Sequence, residues 1–416
     1  MAPTLSASAT RARQSAPMSD LLYLAGDRLM RWDPLTYHSI TLAQNVADFA
    51  LSADGQVIVL SRPQKVAANG VQQFDLDALR LAEQRIFTLV DSAVYPRQIR
   101  VSPDGSSVAY TQELPEGVSI FVAPVSALGQ PRKLGLCQPA PKTLCPSLTW
   151  SPDGRDLLWS DALGLWQASM AGQQPQLIYP NKVQVEDPKG QPLEIEAQLT
   201  ELQFGTNERF VLLKVIPLAS QVGWQAVLDR RSGYLAQAQE TYGIRSEDVQ
   251  VQWLSDGNLL VAHASEPGRR LPPYIHLWSV LPTNPELLVS GQKFDLYSDE
   301  FPFSAAQSKA IPAHCLLWPT QIQSNRLAFV VRLDQSDDPP ALFELNLITG
   351  ALTRLRELPD DTTQVLWSPD KTQALVLGVR NRISLLSLKS GELISLESVL
   401  MPQAHQFVWM PPALRK

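Results

Sequence analysis

A short phrase ending in Trp367-Ser368-Pro369-Asp370 is written again and again along the chain, and this repetition limits the folds open to it. Seven further segments fall into register with it, ending at Leu51, Val101, Trp150, Phe204, Trp253, Trp318 and Trp409. The terminal position is always large and apolar. Two residues earlier stand Phe49, Ile99, Leu148, Leu202, Val251, Leu316, Val365 and Phe407. Just before those come Asp48, Gln98, Ser147, Glu201, Gln250, Cys315, Gln364 and Gln406. Apolar residues two apart with polar ones interposed mark a β-strand with one buried face.

A turn follows each strand. Ser52-Ala53-Asp54-Gly55, Ser102-Pro103-Asp104-Gly105, Ser151-Pro152-Asp153-Gly154 and Ser255-Asp256-Gly257 are the clearest cases. Proline presets one φ, Asp bonds nearby backbone, and Gly accepts a positive φ. The aspartates Asp54, Asp104, Asp153, Asp256 and Asp370 are therefore read as turn formers and not as acid–base groups. A second apolar strand comes next, as in Val57–Leu60, Leu157–Trp159 and Ala374–Leu377. A third follows (Ile120–Val122, Ile275–Trp278, Ile383–Leu386), and a fourth closes the unit (Leu352–Leu355, Leu393–Leu396).

A period of about fifty residues with four strands per period belongs to the propeller class. One such unit has two apolar faces and cannot cover both alone, so neighbours must stack; a ring removes the end faces that an open stack exposes. The last segment, His405–Trp409, has no strands after it. The first strands, Leu21–Leu24, Arg28–Asp33 and Ser39–Leu42, have no inner strand before them. The two ends complete one blade. The expected fold is an all-β propeller of eight four-stranded blades closed by its terminal strands, with a seven-bladed ring as the alternative.

The repeat resembles the WD40-like, or TolB-like (PD40-type), β-propeller family, whose recurrent phrase is an apolar residue followed by Ser-Pro-Asp-Gly. The phrase is fullest at Trp150–Gly154, Val101–Gly105 and Trp367–Asp370, and degraded at Phe204–Asn207 and Trp318–Gln321. The resemblance spans nearly the whole chain. It implies the fold but no single function: such propellers serve as periplasmic scaffolds, peptidase domains, lyases and plain binding modules. It also implies that the connections of variable length, those between second and third strands and between blades, emerge on one face, where binding residues usually ride.

The uninterrupted repeat sets the domain reading: a disordered tail over 1–18, one propeller over 19–410, and a short tail over 411–416. Net charge is −6 with both signs spread along the 416 residues. No basic run marks a nucleic-acid surface, and no apolar stretch approaches the ~18 residues of a membrane span. Any association with a membrane is expected to run through a partner. Cys137 and Cys145 flank a connection between blades and are spaced to close a short disulfide, which favours an extracytoplasmic, periplasmic location over a cytoplasmic one. Cys315 reads as a small buried residue.

Four connections stand out: Asn181–Ala197, Ser265–Pro273 with Arg269 and Arg270, Gly291–Pro312, and Asp334–Pro340. The third interleaves Phe294, Tyr297, Phe301 and Phe303 with acidic residues and is expected to reach over the channel mouth. Four residues before each terminal position, Arg97, His314, Thr363 and His405 lie in a row expected at the channel mouth, with Glu201 and Gln406 beside it. On related propellers, the resemblance implies, a histidine cluster in this funnel holds a metal in some lyases. Here two histidines share the row, and His263 and His276 fall on outer strands. No Gly-x-Ser-x-Gly elbow, phosphate loop, dinucleotide fingerprint or His-Glu-x-x-His occurs. The expected function is that of a non-catalytic scaffold binding a protein partner through the variable face, with no cofactor. The alternatives are a metal-assisted lyase or hydrolase using Arg97, His314 and His405, and a sensor of a small ligand in the funnel.

Overall fold

The computed structural model describes residues 19–64, 66, 70–94, 96–126, 130–137, 147–186, 191–220, 222–238, 249–263, 274–281, 287–295, 318–331, 339–379, 382–401 and 403–412. Among these, all extended regular structure is β, arranged in eight antiparallel sheets. Blade 1 runs outward through Asp48–Leu51, Val57–Pro63, Gln73–Arg80 and Arg85–Val94. Blades 2 to 7 start from inner strands Arg97–Val101, Ser147–Trp150, Pro192–Phe204, Val249–Trp253, Thr320–Gln323 and Thr362–Trp367. Blade 8 joins the chain ends: Ala404–Trp409 lies innermost, then Leu21–Ala25, Arg28–Asp33 and His38–Ala43. Leu21 pairs with Trp409 and Leu22 with Val408, so the terminal strand closes the ring.

Buried side chains form layers between blades, not one central core. The second strand of blade 1 shows why. Val57 and Val59 pack with Val108 and Tyr110 of blade 2. The alternate residues Ile58 and Leu60 pack with Leu22, Leu24 and Leu29 of blade 8. A strand's two-residue period thus feeds two layers at once. Comparable layers fill the other junctions around the ring. Leu60 and its fully buried equivalents each contribute about 2 kcal/mol by leaving water.

Hydrogen bonds between inner strands tighten the same junctions. The indole N–H of Trp150 donates to Arg100 O of the preceding blade at 3.0 Å. Trp253 donates to Gln203 O at 3.3 Å, Trp367 to Trp318 O at 2.8 Å and Trp409 to Leu366 O at 2.9 Å. Other junctions are crossed from the opposite face. Ser147 Oγ accepts the Leu202 N–H at 3.0 Å, Gln252 Nε2 donates to Pro319 O at 3.0 Å, and Gln406 Nε2 donates to Asp48 Oδ1 at 2.6 Å. Between blades 1 and 2, Arg80 donates to Val125 O at 3.0 Å. Each such bond is worth about 1 kcal/mol net.

The turn phrase is a local network. The hydroxyl of Ser102 donates to Asp104 Oδ1 at 2.6 Å and accepts the Ser107 N–H at 2.9 Å. Ser151 with Asp153, Ser368 with Asp370 and Ser52 with Asp54 repeat it. The Ser102 hydroxyl holds the Asp104 carboxyl below its ordinary pKa. Gly55, at φ 71°, lies so close to Pro411 that a Cβ would fall 2.8 Å from its ring. In blade 7 the glycine position is taken by Lys371, at φ 58°.

Two expectations about local structure need correction. Trp318 does not end the inner strand of blade 6; that strand, Thr320–Gln323, begins beyond it and turns back tightly to Arg326–Val331. No Ser-Pro-Asp-Gly turn follows Trp318, so the strand extends through the positions a turn occupies elsewhere. Within the stretch expected as a loop from Asn181 to Ala197, Lys182–Glu186 pairs antiparallel with the first half of Pro192–Phe204 as the two arms of a β-hairpin. Val183 and Val185 provide its two-residue apolar period and are buried against blades 3 and 4.

Replacing Trp150 by Phe keeps the ring and removes the bond to Arg100 O, and is expected to lower unfolding stability in urea by about 1–2 kcal/mol. Lys371→Gly relieves a left-handed side-chain-bearing residue and is expected to raise it by about 0.5–1 kcal/mol.

Candidate functional site

Inner strands surround the axis, and their upper ends, where the connections between blades arrive, set the channel mouth. A regular strand would place the residue four before the terminal position on the same face as the apolar pair. Blade 5 behaves so: its register is unbroken and Val249 is buried. Blades 2, 4 and 8 do not. In blade 2, Arg97 faces Thr111 and Arg100 faces Ala109, so three residues of the inner strand span two of its neighbour. In blade 4 the same holds for Thr200 and Gln203 against Lys214 and Leu212, and in blade 8 for His405 and Val408 against Leu24 and Leu22.

Each is a β-bulge, and each contains a residue of positive φ: Gln98 at 49°, Glu201 at 54° and Gln406 at 51°. Left-handed backbone at a residue with a Cβ costs about 1–2 kcal/mol. What the bulge changes is side-chain direction. It moves Arg97, Thr200 and His405 off the buried face and onto the face of Arg100, Gln203 and Val408.

The expected site residues fall as follows. Arg97 is exposed on the bulged strand and forms no ion pair among the described residues. Glu201 is exposed and accepts from the ammonium of Lys214 at 3.3 Å, a lysine that is itself nearly buried. His405 is exposed, with Nδ1 2.9 Å from Gln403 O. Phe294 requires correction: it lies in the outer strand Leu288–Asp295 of blade 5, pairs with Ile275 and is buried against Phe329 and Phe343 of blade 6. The strand runs further than its sequence suggested, because Phe294 fills a layer between blades. Arg269, Arg270, Tyr297, Phe301, Phe303, His314 and Cys145 lie outside the described residues, as do Cys315 and most of the connections that carry them. Cys137 is buried and disulfide-bonded. His263 and His276 lie on the second and third strands of blade 5, and His263 stacks on Tyr274 at 4.7 Å. Among the described residues no three histidine, cysteine, aspartate or glutamate side chains are placed to hold a metal ion, and no helix is long and apolar enough to cross a membrane.

Features not anticipated in the sequence cluster around the hairpin. Leu163 O accepts the Asn181 N–H, Asn181 O accepts the Ala197 N–H, and Glu196 O accepts the Leu218 N–H, at 2.9, 2.8 and 3.0 Å. Leu163 and Leu218 thus flank the base of the hairpin, with Leu193 further along it. Their exposures are 47%, 44% and 49%. Glu194, Glu196 and Lys182 surround them, and Lys182 is paired with Glu194 at 3.3 Å. A backbone-linked apolar trio in an acidic setting therefore stands on the variable face.

The lower face carries its charges in closed pairs. Both donors of Arg209 reach the Asp229 carboxylate at 2.9 and 2.7 Å, and the Arg231 N–H and Ser232 hydroxyl add to them. Arg209 above all pulls the Asp229 pKa down to about 2. Arg230 bridges to Asp156 of blade 3 at 2.6 Å.

No protein-family model matches the sequence, and no curated protein is significantly similar to it. Solved structures are similar in fold. One is dihydro-heme d1 dehydrogenase NirN in complex with DHE: TM-score 0.59, 13% identity, covering 95% of this chain and 76% of that one. Another is described as the eukaryotic initiation factor: TM-score 0.56, 12% identity, coverage 95% and 89%. A third is Porphyromonas gingivalis dipeptidyl peptidase 4: TM-score 0.57, 11% identity, coverage 91% and 58%. At these identities the likeness is one of fold. The chain is an eight-bladed β-propeller.

The lowered Asp229 pKa gives a pH prediction. Its carboxylate contributes stability above the ordinary value of 3.8, and that contribution is lost as pH falls toward about 2. Asp229→Asn is expected to cost about 2 kcal/mol at neutral pH. The difference from the unmodified chain should shrink progressively below pH 4 and be mostly gone at pH 2 when unfolding is followed by circular dichroism (about 1.4 kcal/mol per pH unit at most).

Proposed function

We propose that this propeller is a non-catalytic binding module that engages a protein partner through its upper face, with the hairpin of blade 4 at the centre of contact. The observation that carries this reading is the exposed trio Leu163, Leu193 and Leu218, fixed on one backbone hydrogen-bonded frame. Apolar side chains held rigidly in the open lose little entropy on association and gain by leaving water. Their acidic surroundings favour a partner that offers basic residues around an apolar centre.

The family reading belongs here as well. The Ser-Pro-Asp-Gly phrase and its Ser–Asp network support a TolB-like (PD40-type) assignment within the propeller class. The disulfide at Cys137 supports an extracytoplasmic, periplasmic setting, in which a scaffold would meet its partner outside the cytoplasm.

The test is direct. A partner recovered by cross-linking in native cells and then purified should bind the Leu163→Asp/Leu218→Asp protein at least tenfold more weakly, with the thermal midpoint unchanged. Undiminished binding by a folded double variant would refute the assignment of this face.

A further inference from the structure

Charge around the channel is unevenly used. The described inner strands carry Asp48, Arg97, Arg100, Glu194, Glu196 and Glu201 as their ionised residues, with Glu194 and Glu196 in the half of their strand that forms the blade 4 hairpin. Asp48 is engaged by Gln406 at 2.6 Å and by the Phe49 N–H at 2.7 Å. Glu201 is engaged by Lys214. The two arginines have no carboxylate partner among the described residues, although acids outnumber bases by 41 to 35 in the chain. Both are exposed. On the innermost strand of a ring, with neighbouring blades on either side, exposure leads to the axis or its mouth.

The bulge makes them a pair. Without it, Arg97 and Arg100 would point to opposite faces of the sheet. The extra residue at Gln98 puts both on one face, roughly 7–10 Å apart along the strand, within mutual reach of their side chains. Arg100 is further fixed by its own Nη1, which donates to Ile99 O at 3.0 Å. Backbone strain at Gln98 is thus spent on aligning two like charges, an arrangement that is unfavourable unless an anion lies between them.

Beside the engaged carboxylates of Asp48 and Glu201, several inner strands offer neutral polar side chains. Ser147, Thr149, Gln203, Gln250 and Gln364 stand on the inner strands of other blades. Amides and hydroxyls hydrogen-bond a polar carbon skeleton without competing for its charge.

We propose that the channel of this propeller binds a small oxyanion, a carboxylate- or phosphate-bearing polar metabolite, whose charged group is held by Arg97 and Arg100. Guanidinium forks match the two oxygens of either group, and the low-dielectric walls of a channel concentrate the field of the pair. This site stands on the channel geometry and is independent of partner binding at the upper face.

Isothermal titration of the full chain with inorganic phosphate, with citrate and with glucose tests it. Binding of phosphate or of citrate, weakening as sodium chloride is added, is expected, and the stronger of the two identifies the class of anionic group; glucose should not bind. In Arg97→Gln/Arg100→Gln the affinity should fall at least tenfold. Among the described residues neither guanidinium joins an ion pair or an inter-blade bond, so the variant should unfold at the same temperature as the original in the absence of ligand. Failure of both anions to bind, or equal binding by the double variant, would overturn the proposal.

Discussion

The structure depends on contacts across the gaps between blades. A four-stranded sheet buries each face only against a neighbour, and among the described residues the apolar layers at the junctions make up nearly all of the core. Near the axis, where the blades converge, indole N–H groups reach back to the previous blade while Ser147, Gln252 and Gln406 reach forward. Tryptophan suits the terminal position of the repeated phrase because it supplies both ring area and a donor. Where the chain has Leu51, Val101 or Phe204 instead, the area remains and the donor is gone.

This economy explains how far the sequence could be read. The two-residue apolar period, the Ser-Pro-Asp-Gly turns and the complementary chain ends all report on local geometry or on burial, which a repeat displays many times over. Strand number, blade number and ring closure were therefore visible in it. The hairpin's first strand, Lys182–Glu186, is hidden in the sequence because it has two apolar residues, Val183 and Val185, with charged and polar residues around them. In blade 6, Trp318 has the apolar character of the terminal position without its turn, and the strand Thr320–Gln323 lies beyond it. Aromatic and acidic residues directly after Phe294 give that stretch the character of a loop, but burial between blades 5 and 6 holds Phe294 in a strand.

The candidate channel site was half legible. Arg97 stood out by its place in the row, yet its pairing with Arg100 required a bulge, and nothing in the residues around Gln98 announces a left-handed backbone. Bulges alter the parity of a strand without altering its composition, so one-dimensional patterns cannot locate them. In hindsight the polar residues Arg97, Thr200 and His405, at a position that blade 5 fills with buried Val249, carry the signal. On the lower face the turn at Asp229 neutralises its charges locally, whereas Arg97 and Arg100 on the inner strand of blade 2 have no carboxylate partner among the described residues.

A closed ring of shared layers should open as one body, because releasing any blade exposes the faces of two others. Native-state hydrogen exchange resolved by mass spectrometry measures this directly. The second strands of all eight blades should then share one opening free energy, with Leu21–Ala25 as protected as Val57–Pro63 or Phe210–Pro217. Much faster exchange confined to Leu21–Ala25 and Ala404–Trp409, with the other blades protected, would show that the chain ends do not lock the ring.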